Sequence, residues 1–274
     1  MALNDFPAPS AARPFPAGAL RLRRIDVWAL RVAIQRPVET SFGIMRDRPA
    51  VFLRVEGADG AFGFGEIWCN FPSCGAEHRV RMAVDELAPL LAGRDLASPA
   101  EAYALMWEKT RVRVLQTGEP GPYSQVIAGI DMALWDLAAR AAGRPLRHFI
   151  AGDAVDSVPA YASGIHIGIA ADVVPEFRAA GFRNFKVKVG FDTAQDIAGI
   201  KALKATLQPG ERLFSDANQA WDLEAALKFA QGARDLGLDW LEEPLRADAP
   251  AGDWARLAKE GGVPLAAGEN FMGV

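Results

Sequence analysis

The sequence predicts an α/β plus α+β chain: an α+β domain at residues 19–150, followed at residues 151–274 by a partial (β/α) barrel of the TIM type. Three observations carry this. From Leu20 to Trp68 apolar residues alternate as they do in half-buried strands. From His78 to Ala142 they recur at helical spacing, and beyond Asp153 strand and helix patterns take turns.

Residues 1–18, MALNDFPAPSAARPFPAG, are rich in Pro and Ala without a period, which predicts a flexible tail. LRLRRIDVWALRV then alternates. VFLRVEG joins AFGFGEIW through Asp59-Gly60, a strong hairpin signal, so a small antiparallel sheet is expected. Helices are predicted over His78–Leu91, Pro99–Val114 and Tyr123–Ala142, the last stopped by Gly143 and Pro145.

In the second part, strands are predicted at about 158–166, 184–190, 212–218, 238–244 and 263–269. Between them lie helical stretches: one ending at Gly181, one with Ile197, Ile200, Leu203 and Leu207 on one face, one with Leu223, Leu227, Ala230 and Ala233, and one with Trp254 and Leu257. Strands apolar on both faces and separated by helices argue for a covered parallel sheet. A closed barrel needs eight strands, and five are read here. On that count the chain is expected to be C-terminally shortened, to lack turnover by itself, and to be marginally stable as a monomer with two open strand edges.

Composition narrows the function classes. A net charge of −4 with no dense Lys/Arg run gives no footprint for nucleic acid or an anionic membrane surface. No apolar run reaches the roughly 18 residues of a spanning helix, and the N-terminus lacks a secretory apolar core, so a cytoplasmic setting is expected. Cys69 and Cys74 are the only cysteines; with no second pair and no C-x-x-C spacing they are expected to be reduced thiols.

The chemistry lies at the strand ends. Lys186 and Lys188 in FKVKVG, Asp216 in LFSDANQ, Glu242 in DWLEEP and Glu269 in PLAAGEN follow one another at steps of 28, 26 and 27 residues from Lys188 onward, one βα unit each. The period of two puts Lys186 and Lys188 on one face and Val187 and Val189 on the other; it pairs Leu241 with Glu243, so that Glu242 faces the mouth when Leu241 packs on helices. Two adjacent ammonium groups oppose each other's charge, which predicts a lowered lysine pKa and a base near neutral pH. Asp216, Glu242 and Glu269 are three hard oxygen ligands suited to Mg²⁺. Asn218, on the face of Asp216, is a hydrogen-bond donor for a substrate oxygen or a base. Each motif alone is ordinary. Their order on consecutive units is not.

The order KVK, DAN, EEP, GEN, preceded by the helical run AGIDMALWDLAARAAGRPL, resembles the mandelate racemase and muconate lactonizing enzyme family of the enolase superfamily over roughly residues 20–274. The resemblance implies Mg²⁺-dependent abstraction of the proton α to a substrate carboxylate through an ene-diolate. Lys188 matches the base and Lys186 its neighbour; Asp216, Glu242 and Glu269 match the Mg²⁺ ligands. The α+β domain matches a capping domain, with the segments RPVETSFGIMRDRP and WCNFPSCG near the distal end of a small carboxylate substrate, and a homo-oligomer is expected. The glutamate of GEN resembles the mandelate racemase side, whose members racemise 2-hydroxy acids or dehydrate acid sugars. Two alternatives stay open: a cycloisomerase or epimerase of the muconate lactonizing side, and a catalytically inactive shortened product. His166 is expected to be structural or to touch substrate; His78 and His148 carry no catalytic signal.

Overall fold

The computed structural model describes residues 15–16, 18–40, 43–72 and 74–271. Most of the expected tail, part of the RPVETSFGIMRDRP segment and Ser73 of WCNFPSCG lie outside these residues. Two compact units are present, Met1–Pro37 with Arg46–Asp156, and Val38–Met45 with Ser157–Val274.

The first unit holds all but the β1–β2 end of a four-stranded sheet of β1 (Leu20–Thr40), β2 (Gly43–Gly57), β3 (Phe62–Ile67) and β4 (Asp95–Leu96), in the order β3-β2-β1-β4. β2 and β3 are antiparallel, with Val51 opposite Ile67. Their turn has Gly60 at φ +85°, which explains the legible hairpin. The helices are α1 (Gly75–Arg81), α2 (Ala88–Leu91), α3 (Pro99–Thr117), α4 (Pro120–Ala141) and α5 (Leu146–Ile150). A π turn, Met82–Leu87, links α1 to α2. Pro89 lacks the N–H that a continuous α-helix would place on the Asp85 carbonyl, and the wider turn absorbs the break. Ser98 starts α3 by accepting the Glu101 N–H, and Gly118 in the left-handed region ends it.

α4 lies almost backbone to backbone on β3. A Cβ on Gly65 would run into the Gly129 carbonyl of α4, one on Gly63 into the backbone of Ala133 and Leu137, and one on Gly129 into Ile67. The Phe64 N–H donates to Asp136 of α4 at 2.9 Å. Val51, Leu53, Val55, Ile67, Met106, Ile127, Ile130 and Leu134 form the core here. Phe15, assigned by composition to the tail, is buried in the same core, and its N–H donates to the Ala97 carbonyl. Its ring provides the apolar area that the Pro- and Ala-rich context masks.

The second unit is a five-stranded parallel sheet of β5 (Ala162–His166), β6 (Asn184–Lys188), β7 (Arg212–Asp216), β8 (Leu241–Glu242) and β9 (Leu265–Ala266), paired in chain order. The helices α6 (Ala170–Ala179), α7 (Thr193–Lys204), α8 (Leu223–Ala233) and α9 (Ala251–Glu260) alternate with the strands. Asp192 and Asp222 cap α7 and α8 by accepting the N–H groups of Gln195 and Ala225. Val187, Val189, Leu213 and Leu241 join Ile200, Leu203, Ala226, Phe229 and Leu257 of the helices in one core. The strands are shorter than the sequence predicts. β8 stops where Glu243 turns left-handed (φ +41°) before Pro244, and β9 ends two residues before Gly268 (φ +139°). Single ladder bonds continue past the ends, Val189 N–H to Asp216 O and Ala217 N–H to Glu242 O among them.

Candidate active site

Residue pairing sets the site. His166, Lys188, Asp216, Glu242 and Ala266 are successive register partners across all five strands, so they form a single row at the strand C-termini. Lys186 sits one pleat earlier, opposite Phe214. With Val187 and Leu241 in the helix-facing core, both lysines, Asp216 and Glu242 occupy the other face.

The charges interleave. Lys188 Nζ donates to Asp216 Oδ2 at 2.6 Å and to Asn218 Oδ1 at 2.7 Å. Lys186 Nζ donates to Glu242 Oε1 at 2.5 Å, lies 3.4 Å from Asp216 Oδ2, and sits 5.1 Å from the Tyr161 ring centroid. Asp216 Oδ1 accepts the Asn218 N–H at 2.9 Å, and Glu242 Oε2 accepts the Trp240 indole N–H at 3.1 Å. Tyr161, Phe214 and Trp240 pack against one another beneath, the Phe214 and Trp240 centroids 4.0 Å apart.

This arrangement corrects the expected lysine pKa at Lys186. Burial opposes its charge, but the hydrogen bond to Glu242 and the charges of Asp216 and Glu242 outweigh it and hold the pKa above the ordinary lysine value. The strand register inserts the carboxylate of Asp216 between the two ammonium groups and sets that of Glu242 against Lys186, and their attraction exceeds the repulsion of the neighbouring lysine.

Glu269 lies three residues beyond Ala266 and is exposed. Among the described residues no three His, Cys, Asp or Glu side chains are gathered as a metal cage. Asn218, at φ +46°, places its side-chain oxygen on Lys188, where it accepts rather than donates. His166 accepts the Gly168 N–H on Nδ1 at 3.0 Å and stacks on Phe191, with centroids 4.2 Å apart. His78 pairs with Glu119, and His148 lies 3.4 Å from Asp156. Cys69 is buried and Cys74 exposed, both as free thiols.

One residue escaped the sequence reading. Strand alternation assigns Glu243 to the helix side with Leu241. Its left-handed backbone breaks that alternation, because the period of two holds only while the chain stays extended. Glu243 is 2 % exposed, and both carboxylate oxygens accept from the Asn270 amide, at 2.9 and 3.1 Å. Burial raises its pKa; the charges of Glu269 and Asp216 act in the same direction, and the Asn270 hydrogen bond opposes them.

Comparison with known proteins decides the lineage. Residues 24–151 match the mandelate racemase / muconate lactonizing enzyme N-terminal domain, and residues 169–274 match the enolase C-terminal domain-like model. A solved mandelate racemase/muconate lactonizing enzyme from Bordetella bronchiseptica is 48 % identical with a TM-score of 0.86, over 93 % of this chain and 67 % of that one. The chain belongs to the mandelate racemase and muconate lactonizing enzyme family. An enolase from Bradyrhizobium, crystallised with magnesium and mandelic acid, superposes with a TM-score of 0.81 at 29 % identity, over 92 % of this chain and 68 % of that one. The 3,6-anhydro-alpha-L-galactonate cycloisomerase of Streptomyces coelicolor is 33 % identical over 86 % of this chain and 64 % of its own length. Other matched family members carry cycloisomerase or dehydratase names. The chain spans 61–66 % of the length of the first three curated relatives it matches. No helix among the described residues is long and apolar enough to cross a membrane.

Proposed function

We propose that the chain carries the lysines and carboxylates of an enzyme site that removes the proton α to the carboxylate of a small acid, with Mg²⁺ held by Asp216, Glu242 and Glu269. The parallel unit is read as part of an eight-stranded (β/α) barrel. The observation that carries the reading is the single row Lys188, Asp216, Glu242, which sets an amine beside two carboxylates on adjacent strands.

The donor set fits the ion. It is all carboxylate oxygen, two ligands are in register on neighbouring strands, and the third stands on the segment after β9 with its side chain open to solvent. Bound there, Mg²⁺ supplies positive charge for the second negative charge that builds on a substrate carboxylate when its α proton leaves.

The chain's own groups do the rest. Asp216 and Asn218 occupy two of the three N–H directions of Lys188. The third direction, lone pair or proton, is left for a substrate carbon, so Lys188 exchanges one proton at Nζ while two hydrogen bonds fix its aim. The C–H electron pair passes into the substrate carboxylate as the proton reaches Nζ. Lys186 and the Trp240 indole hold the two oxygens of Glu242 and restrict its rotation.

Acid-sugar dehydration or 2-hydroxy acid racemisation is the reaction class favoured by the glutamate of the GEN motif. Cycloisomerisation is the second reading, favoured by the name of the Streptomyces relative. Incubation with Mg²⁺ and a panel of sugar acids and 2-hydroxy acids in D₂O tests the common step. In the enzyme completed to an eight-stranded barrel, deuterium should appear at the α carbon and fall about 10²- to 10⁴-fold with Lys188→Ala. Undiminished labelling by Lys188→Ala, or Mg²⁺ affinity equal to the parent in Asp216→Asn, would overturn the assignment.

A further inference from the structure

The end of β8 carries two adjacent glutamates with different tasks. Glu242 stays in the row, held by Lys186 and Trp240. Glu243 turns away into the left-handed region, an arrangement that costs a non-glycine residue on the order of 1 kcal/mol or more and persists only where surrounding structure enforces it. Its carboxylate is almost completely buried, and among the described residues no lysine, arginine or histidine lies within ion-pair distance of it. A buried carboxylate with no cationic partner is expensive. What it holds is the Asn270 amide, on both oxygens, with Asn270 itself exposed and next in sequence to Glu269. The Glu243 N–H donates to Ala266 O at 2.9 Å, while its own carbonyl accepts the Gln219 N–H at 2.7 Å. Glu243 therefore joins the segment after β7, the end of β8 and the segment after β9.

We propose that Glu243 is a positioning residue: by gripping Asn270 it fixes the Gly268–Phe271 segment and thereby sets where Glu269 can place its carboxylate for the cation. The inference rests on the reading of Glu269 as a ligand. Without the grip, the segment after β9 is left with the Phe271 N–H on Gly268 O at 3.1 Å and the edge contact of Phe271 with Trp254, neither of which holds the Glu269 side chain, so its carboxylate would have to be ordered at the moment of binding.

Two measurements on the whole chain test it, with Glu243→Gln, Asn270→Ala and the double variant. Asn270 is exposed, so Asn270→Ala keeps the test open should Glu243→Gln fold poorly. In the absence of metal, hydrogen–deuterium exchange of a peptide spanning residues 267–271 should quicken in each variant, while a peptide over residues 212–216 stays unchanged. In calorimetric titration with Mg²⁺, each single variant should lose about tenfold or more in affinity. The double variant should lose about as much as the larger single loss, because both changes weaken the one Glu243–Asn270 contact. Parental exchange and parental affinity in both single variants would overturn the inference, and so would losses that add. A parent that binds no Mg²⁺ would overturn the site reading and this inference together; a parent that binds while both variants bind equally well would overturn this inference alone.

Discussion

Asp131 in the first unit and Asp216 in the second are aspartates withdrawn from water in opposite ways. Asp131, on α4, has a buried Oδ1 with no hydrogen-bond partner, and burial pushes its pKa up to about 6, the Trp135 hydrogen bond notwithstanding. Asp216 has both oxygens bonded and two ammonium groups within 3.4 Å. The contrast extends to cations. Arg79 of the first unit is buried against neutral acceptors, the carbonyls of Trp68 and Gly75 and the Gln125 side chain, whereas Lys186 is buried against carboxylates. Charge at Arg79 is fixed by neutral dipoles that cannot move a proton. At Lys186 it is set among groups that can.

The comparison can be broken at its strongest point. Lys186→Met leaves Glu242 and Asp216 short of a buried partner and should cost about 3–5 kcal/mol in urea unfolding. A loss below about 1 kcal/mol, the range of exposed pairs, would mean that the lysine layer is solvated and no different from the surface pairs elsewhere.

Gly65→Ala probes what the first unit relies on instead, since the added methyl meets the Gly129 carbonyl with no room to shift. The expected loss is about 3 kcal/mol, against a smaller change for Gly93→Asn, where the space is open and Asn tolerates the φ of +71°. Equal stability of Gly65→Ala and Gly93→Asn would show that β3 and α4 can separate enough to admit a methyl group at no cost.

Asp131→Asn should do the reverse and stabilise. An acid whose pKa rises on folding, here from about 3.9 to about 6, lowers stability once the unfolded carboxyl ionises; the cost grows between about pH 4 and 6 and is constant above. The gain should therefore be of order 2 kcal/mol at pH 8 and vanish near pH 4. A pH-independent effect would show that folding does not raise the Asp131 pKa.

The smallest effect serves as the common yardstick. Ser98→Ala in the first unit and Asp222→Ala in the second each remove one N-cap bond and should each cost about 1 kcal/mol. A large difference between them would show that the units do not report stability on one scale.

Much of this was legible in the chain. Alternation placed Lys186 and Lys188 opposite Val187 and Val189, and Leu241 opposite Glu242, because β6 and β8 stay extended through those residues. Asp59-Gly60 named its hairpin and Gly143 its helix end, since both exploit backbone that other residues avoid. What was missed depends on long-range placement. β4 is two residues long and exists only through pairing of Leu20 with Leu96 and Arg21 with Asp95. Phe15 is ordered by a core whose other members lie far along the chain. The Lys186 pKa follows from Glu242, 56 residues away, and Glu243 left its expected face through one backbone angle that no hydrophobic period encodes.

The bond between the Trp240 indole and Glu242 also makes the site self-reporting. Indole emission responds to charge and hydrogen bonding at its N–H, and this ring is held against Phe214 beside a carboxylate whose surroundings change with any occupant. Of the seven tryptophans in the chain, Trp240 is the one whose light is tied to that carboxylate. A Trp240→Phe variant, subtracted from the parent, would isolate a spectroscopic signal for events at the strand ends without a label being attached.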